Sequence, residues 1–285
     1  MRARLVLAVV WILAATGLPA QLRVVYPDLT ERTGVAYGYK ILALALQKSG
    51  HPFTLTLSPE PISMDRAKVR LDTGEISVLD VGTSAEFEDR WDAVPFPIDR
   101  GLSGYRLFFI PRDRAAAFLR VRTLSDLRGF SAGQGRGWAD TAILRGAGIS
   151  VEEVSEFEAL FRMVNGGRFD FFPLGVEEIQ GFQNRFASDL TNAEIQPTLA
   201  LHYPFGRLFF VRKGDKILRD TLTKGLVAAF ADGSLQQAFL KDPEVSASLR
   251  FADLAHRTVI EIPNPTLSDW FRSIPSQYFW SGPRN

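Results

Sequence analysis

Residues 74–82 read G-E-I-S-V-L-D-V-G and residues 167–175 read G-R-F-D-F-F-P-L-G. Each copy opens with Gly and a charged residue, runs on as an apolar-rich stretch, closes with Gly, and follows a helix-like run. A second pair of copies accompanies the first. Residues 105–113 (Y-R-L-F-F-I-P-R-D) and 206–215 (G-R-L-F-F-V-R-K-G-D) share R-L-F-F followed by a β-branched residue and then polar or turn residues. A helix, a Gly turn, a buried strand and a closing Gly make half of an α/β lobe, so two copies predict two similar lobes. The cleft between such lobes is a common seat for a small ligand.

Outward from the first copy, Leu22 to Tyr26 reads as an apolar strand and Ala36 to Lys48 as a helix closed by Ser49-Gly50. F-T-L-T-L at 53–57 alternates as a strand with one buried face, Met64 to Asp72 is helical, and Ile76 to Val81 is the copied strand. Outward from the second copy, Leu107 to Ile110 is a strand and Thr123 to Gly129 a connecting turn. Helices follow from Trp138 to Arg145 and from Val154 to Asn165, the second leading into a strand at Phe169 to Phe172. Alternation of this kind predicts mainly parallel sheets whose ligand sites lie at the carboxyl ends of the strands. After Leu208 to Val211, the helices Lys216 to Ala231 and Leu235 to Leu240 have no further copy of the Gly-strand-Gly unit, so the chain is expected to return to its first lobe. The crossings fall near Asp99 to Tyr105 and Leu201 to Gly206, rich in Pro, Gly and aromatics. The stretch from Arg250 to Asn285 carries Trp270, Phe271, Tyr278, Phe279 and Trp280 and reads as a tail packed on the first lobe.

The chain has 285 residues, 46% of them hydrophobic and 23% charged, the ordinary balance of a globular protein with room for two domains. Arg2 and Arg4, the apolar run Leu5 to Ala15 and the small residues before Gln21 read as a secretory signal peptide over 1–20, too short for a comfortable membrane span. Without it the charge is −1, from 31 basic against 32 acidic residues, which favours neither nucleic acid nor an anionic membrane. There is no Cys, and His51, His202 and His256 have no metal-ligand spacing, so no cofactor, metal or thiol chemistry is expected. No G-x-S-x-G elbow is present either, and no catalytic residue is assigned.

The order lobe one, lobe two, lobe one, with T-L-S-D-L-R-G opening the second lobe and F-A-D-G-S-L-Q-Q near the end, resembles the type 2 periplasmic solute-binding proteins, especially the amino-acid-type branch (family 3) of ABC transporters. The resemblance implies a two-lobed α/β fold with two hinge crossings, residues 21–100 plus 206–285 forming lobe 1 and 101–205 lobe 2. It also implies a periplasmic monomer that passes a small polar, anionic or amino-acid-like solute to a membrane permease or sensor. In that family an Arg before a V-x-F element holds the ligand carboxylate, and here D-R-W-D-A-V-P-F at 89–96 makes it Arg90. Arg90 could equally pair with Glu86, Glu88 or Asp92 on the surface.

Gly82, Thr83 and Ser84 follow the first copied strand and offer N–H and hydroxyl groups, or simply cap a helix. Gly135, Arg136 and Trp138 lie in G-Q-G-R-G-W, a Gly-rich turn before a helix that suits an anion; a dinucleotide fingerprint fails because Trp138 stands at the third Gly. Tyr26 and Tyr37 are candidates for the cleft wall, with core packing as the alternative. Many family members end the second copied strand on an Asp that binds the ligand amino group. Here that position is Gly175, with Glu177 or Glu178 as substitutes. An enzyme of the same fold, a dehydratase using Glu177, Glu178 or Asp99, and a partner protein with a degenerate cleft remain as alternatives.

Overall fold

The computed structural model describes residues 21–29, 36–280 and 282, so the signal-peptide reading at 1–20 lies outside the described residues. Twelve strands are formed among the described residues: β1 Leu22–Tyr26, β2 Phe53–Leu57, β3 Val78–Gly82, β4 Asp92–Ala93, β5 Tyr105–Pro111, β6 Ser131–Gly135, β7 Ser150–Val154, β8 Phe172–Gly175, β9 Ala193–Ile195, β10 Leu199–His202, β11 Arg207–Val211 and β12 Thr258–Glu261. In the first lobe β1 pairs parallel with β2, while β11 lies antiparallel between β3 and β4. The amide of Ser77, donating to the Val25 carbonyl at 2.9 Å, joins β3 to β1. In the second lobe the order is β12-β10-β5-β8, with β9 also on β5. A parallel bridge from Ala132 to Phe171 adds β6, which pairs with β7.

The two repeats pair with each other. Each R-L-F-F strand runs antiparallel to the Gly-ended strand of its own lobe, so that Arg106 stands opposite Gly175 and Arg207 opposite Gly82. The sheets are therefore mixed, antiparallel around β5 and β11 and parallel in the pairs β1–β2, β6–β7 and β10–β12, rather than mainly parallel. The opening glycines of the copies, Gly74 and Gly167, take φ of +80° and +66°, a left-handed turn that side chains resist and that reverses the chain from helix into strand. The second copy's strand begins three residues later than its sequence suggests, at Phe172, because Asp170 turns back to accept from the amide and hydroxyl of Ser131.

In the first lobe the helix Tyr37–Ser49 buries Ile41, Leu42, Ala45 and Leu46. It meets the helix Lys216–Ala231 so closely that a Cβ on Gly225 would lie 1.8 Å from the Ala45 carbonyl oxygen. In the second lobe Phe161 of the helix Phe157–Asn165 stacks on Phe186 at 4.0 Å, and Phe108, Phe118 and Phe171 are fully buried on the other side of the sheet. Each such ring contributes about 1.5–3 kcal/mol by leaving water.

The chain passes from the first sheet to the second between β4 and β5 and returns between β10 and β11. Asp99 ties the two passages together. Its carboxylate accepts from the amides of Gly101 and Ser103 on the outgoing passage and from that of Arg207 on the returning one, all at 3.0–3.1 Å. The tail departs from the expectation that 206–285 stays with lobe 1. Thr258–Glu261 pairs parallel with β10 and completes the edge of the second sheet, because its β-branched run satisfies backbone groups that β10 would otherwise leave open. Only afterwards does the tail rejoin the first lobe, where Phe271 and Ile274 are buried with Trp91, Leu208 and Phe210. Among the described residues no helix is long and apolar enough to cross a membrane.

Candidate functional site

A cavity of about 700 Å³ lies between the lobes. Tyr37, Asp99 and Arg207 line it from the first lobe and the hinge; Glu177, Glu178, Phe182 and Arg185 come from the second lobe; Phe239, Glu244 and Val245 close it from the C-terminal helices. Four carboxylates against two guanidinium groups make the lining acidic.

Of the two repeat arginines, Arg207 lines the cavity and Arg106 sits behind it, each with its charge matched by the chain itself. Arg207 donates through Nε to Asp80 at 2.5 Å, and the Tyr26 hydroxyl donates to the same fully buried carboxylate. Gly38 leaves room for this group, since a Cβ there would lie 2.5 Å from the Tyr26 hydroxyl. In the second lobe Arg106 donates through Nε to the Tyr203 hydroxyl at 2.6 Å and pairs with Asp140 at 3.2 Å and Glu178 at 3.6 Å, while the Tyr203 hydroxyl donates to Asp140. Burial opposes the charge on both arginines, but the surrounding acids outweigh it and raise both pKa values.

Glu178 is held in place by the Gly175 amide at 2.9 Å, and Glu177 beside it also lines the cavity. Glu177 makes no ion pair among the described residues. It is open to the cavity yet enclosed by both lobes, and this enclosure, with the charges of Glu178 and Asp99 and against that of Arg106, pushes its pKa up to about 7. Burial likewise raises Glu178, opposed by Arg106. A Cβ on Gly175 would meet a Glu177 carboxylate oxygen at 3.1 Å and Arg106 at 3.2 Å, so the space of the family's Asp is filled from two positions along the chain.

The other sequence candidates fall elsewhere. Arg90 ends the helix Ala85–Arg90, gives Asp72 a two-pronged ion pair and lies 4.8 Å over the Trp91 ring, outside the cavity lining. Its partner is none of the acids flanking it in sequence, because the fold brings the C-terminal turn of the helix Met64–Thr73 beside it. Thr83 donates to Glu88 at 2.5 Å and Ser84 caps the helix Ala85–Arg90, while a Cβ on Gly82 would collide with Phe205; none of the three lines the cavity.

The first half of the Gly-rich segment, Gly133 to Gly135, is the end of β6, flanked by β7 and β8, and Arg136-Gly137 turns the chain into the following helix. Its glycines make way for rings: a Cβ would lie 2.2 Å from Phe169 at Gly133 and 2.4 Å from Trp138 at Gly135. Trp138 packs on Phe157 and Phe172, Arg136 is exposed, and the helix Ala139–Gly146 that follows already has a carboxylate in its first turn, Asp140. Tyr26 lies beneath the cavity as part of the Arg207 group. Tyr37 lines the cavity with its hydroxyl donating to the Ile98 carbonyl at 2.7 Å, and burial raises its pKa. Glu177, Glu178 and Tyr37 are thus the sequence candidates for binding that reach the site. Arg207, Asp99 and the wall from the C-terminal helices were missed as binding residues, although the repeated R-L-F-F had marked one of them.

No protein-family model and no curated protein matches the sequence. Solved structures do match. One is an amino acid ABC transporter substrate-binding protein, AbpA, from Streptococcus pneumoniae bound to L-arginine, with 15% identity and a TM-score of 0.51 over 80% of this chain and 95% of that one. The chain has the fold of the periplasmic binding proteins. A second match comes from work on glutathione import via GshT and the cystine ABC importer TcyBC of Streptococcus mutans, at 13% identity and a TM-score of 0.51 over 78% of this chain and 94% of that one. A histidine kinase sensor domain with similarity to periplasmic binding proteins has the same fold at 16% identity and a TM-score of 0.50 over 78% and 95%. In this fold the acidic cavity lies where the two lobes face each other.

Proposed function

We propose that the chain is a periplasmic solute-binding protein that captures a small solute carrying an amine or guanidinium group between its lobes and presents it to an ABC permease or membrane sensor. One observation carries this reading: Glu177 faces the cavity without an ion pair among the described residues, while Arg207 and Arg106 are already matched by Asp80 and Asp140. A solute cation would supply the missing counter-charge, and lobe closure would strengthen the interaction by excluding water. An anionic solute would find no uncommitted guanidinium on Arg106 or Arg207, and Arg185, which stacks on Phe186, stands against the four carboxylates of the lining, so the net charge there runs against the anionic solute expected from the resemblance. Tyr37 and Phe182 offer ring surface for the solute's stem.

Isothermal titration with L-arginine and putrescine against L-glutamate and citrate tests the reading. Saturable binding of a cation, weakened at least about tenfold by Glu177→Gln, is expected. Tighter binding of either anion would overturn it. A second reading rests on the same carboxylate, since a carboxyl group poised near neutrality also suits acid–base chemistry. Solute recovered unchanged after long incubation would exclude that reading.

A further inference from the structure

A second cavity, of about 330 Å³, lies at the hinge, and nothing in the proposed solute binding uses it. Its walls come from three separate segments: Arg100 on the outgoing passage, Phe205 on the returning one, and Phe271, Arg272, Phe279 and Trp280 on the tail. Its charge is the reverse of the first cavity's. Among the described residues no acid lines it.

Neither Arg100 nor Arg272 has a carboxylate within ion-pair distance among the described residues. Arg100 is half-buried and its donors go to neutral acceptors, the carbonyls of Gln277, Tyr278 and Phe279 and the side-chain oxygen of Gln236. Its positive charge is held in an aromatic setting and left unneutralised, which is costly in the absence of an anion. Arg272 uses one terminal nitrogen on the Asn264 carbonyl at 3.0 Å, and its exposed side chain makes no other side-chain hydrogen bond among the described residues. A ring held among the four aromatic side chains would bring an attached anionic group to Arg272, within the field of Arg100. The volume is at the small end of ligand pockets and suits one or two fused rings.

We propose that this hinge cavity binds a small aromatic or similarly apolar carboxylate, with Arg272 as its direct partner and Arg100 as the fixed positive field. The site is independent of the cavity between the lobes.

The test is isothermal titration of the full chain with 2-naphthoate and with its neutral counterpart 2-naphthamide. Binding at a single site, with the carboxylate at least about tenfold tighter than the amide, is expected. Arg272→Gln should abolish that preference. Ser276→Trp, which fills the cavity from an exposed rim position, should abolish binding of both probes, and Glu177→Gln should change neither. Absence of saturable naphthoate binding, equal affinity for the amide, or binding that survives both hinge variants would overturn the proposal. Loss of naphthoate binding on Glu177→Gln alone would overturn it too, by placing the probe between the lobes.

Discussion

The two lobes place the same arginine opposite the same glycine, yet they neutralise it differently. In the first lobe the carboxylate comes from the copied strand itself, at Asp80, two residues before Gly82. In the second lobe the equivalent position is Pro173, which has no charge to give, and the carboxylate comes instead from Asp140 at the start of a helix. Glu178 and Glu177 then crowd the same arginine, so that three acids surround Arg106, whereas among the described residues Arg207 has its one ion pair with Asp80. The acidity of the cavity is therefore mainly a second-lobe property. A repeat fixes where a charged group stands, whereas its neighbours decide whether it serves the core or the site.

The largest effect should come from breaking the first-lobe group. Asp80→Asn leaves Arg207 without its carboxylate, and urea unfolding should show a loss of about 3–5 kcal/mol. Adding Arg207→Met should recover a good part of it, because the uncompensated charge is gone. Asp140→Asn should cost less, about 1–2 kcal/mol, since Glu178 still faces Arg106. Equal losses in the two lobes would erase the distinction between them.

Glu177→Gln sharpens the comparison from the binding side. With its pKa pushed from the ordinary 4.5 to about 7, Glu177 is largely protonated in acid, and a bound cation favours its ionised form. Affinity for the cation should rise with pH and level off above 7, being about 30-fold weaker at pH 5.5 than on the plateau, whereas the Gln variant should be flat. The stability effect has the related sign. A carboxyl group whose folded pKa is raised favours folding while protonated and opposes it as pH climbs through 7, so the Gln variant should melt no lower than the parent at pH 8. The smallest effect is expected from Arg90→Ala, a loss of at most about 1 kcal/mol in unfolding with solute affinity unchanged in titration. A fall in affinity there would return Arg90 to the site.

These contrasts also explain what could be read in the sequence. The two copies were legible because Gly turns and apolar runs are local signals, and they led to two lobes and to the returning order of the chain. Asp80 was within sight as well: an acid in the middle of V-L-D-V calls for a buried cationic partner, and the repeated Arg of R-L-F-F was available. What hid their meeting was strand direction, since a parallel reading keeps the two apart and an antiparallel one sets Arg207 two residues from Asp80. Arg90 misled because its partner, Asp72, lies on another helix. The wall formed by Phe239, Glu244 and Val245 could not be read, because it depends on how three helices pack after the last repeat.

The late strand Thr258–Glu261 has a consequence for how the chain is made. β10 is synthesised long before the partner that covers its edge, so the second lobe cannot be finished while the first is still waiting for its C-terminal helices. During that interval β10 presents unpaired N–H and C=O groups to any other extended chain. Completion of both lobes thus waits on one late segment, and the strand that closes the second sheet also shields it from mispairing with its neighbours.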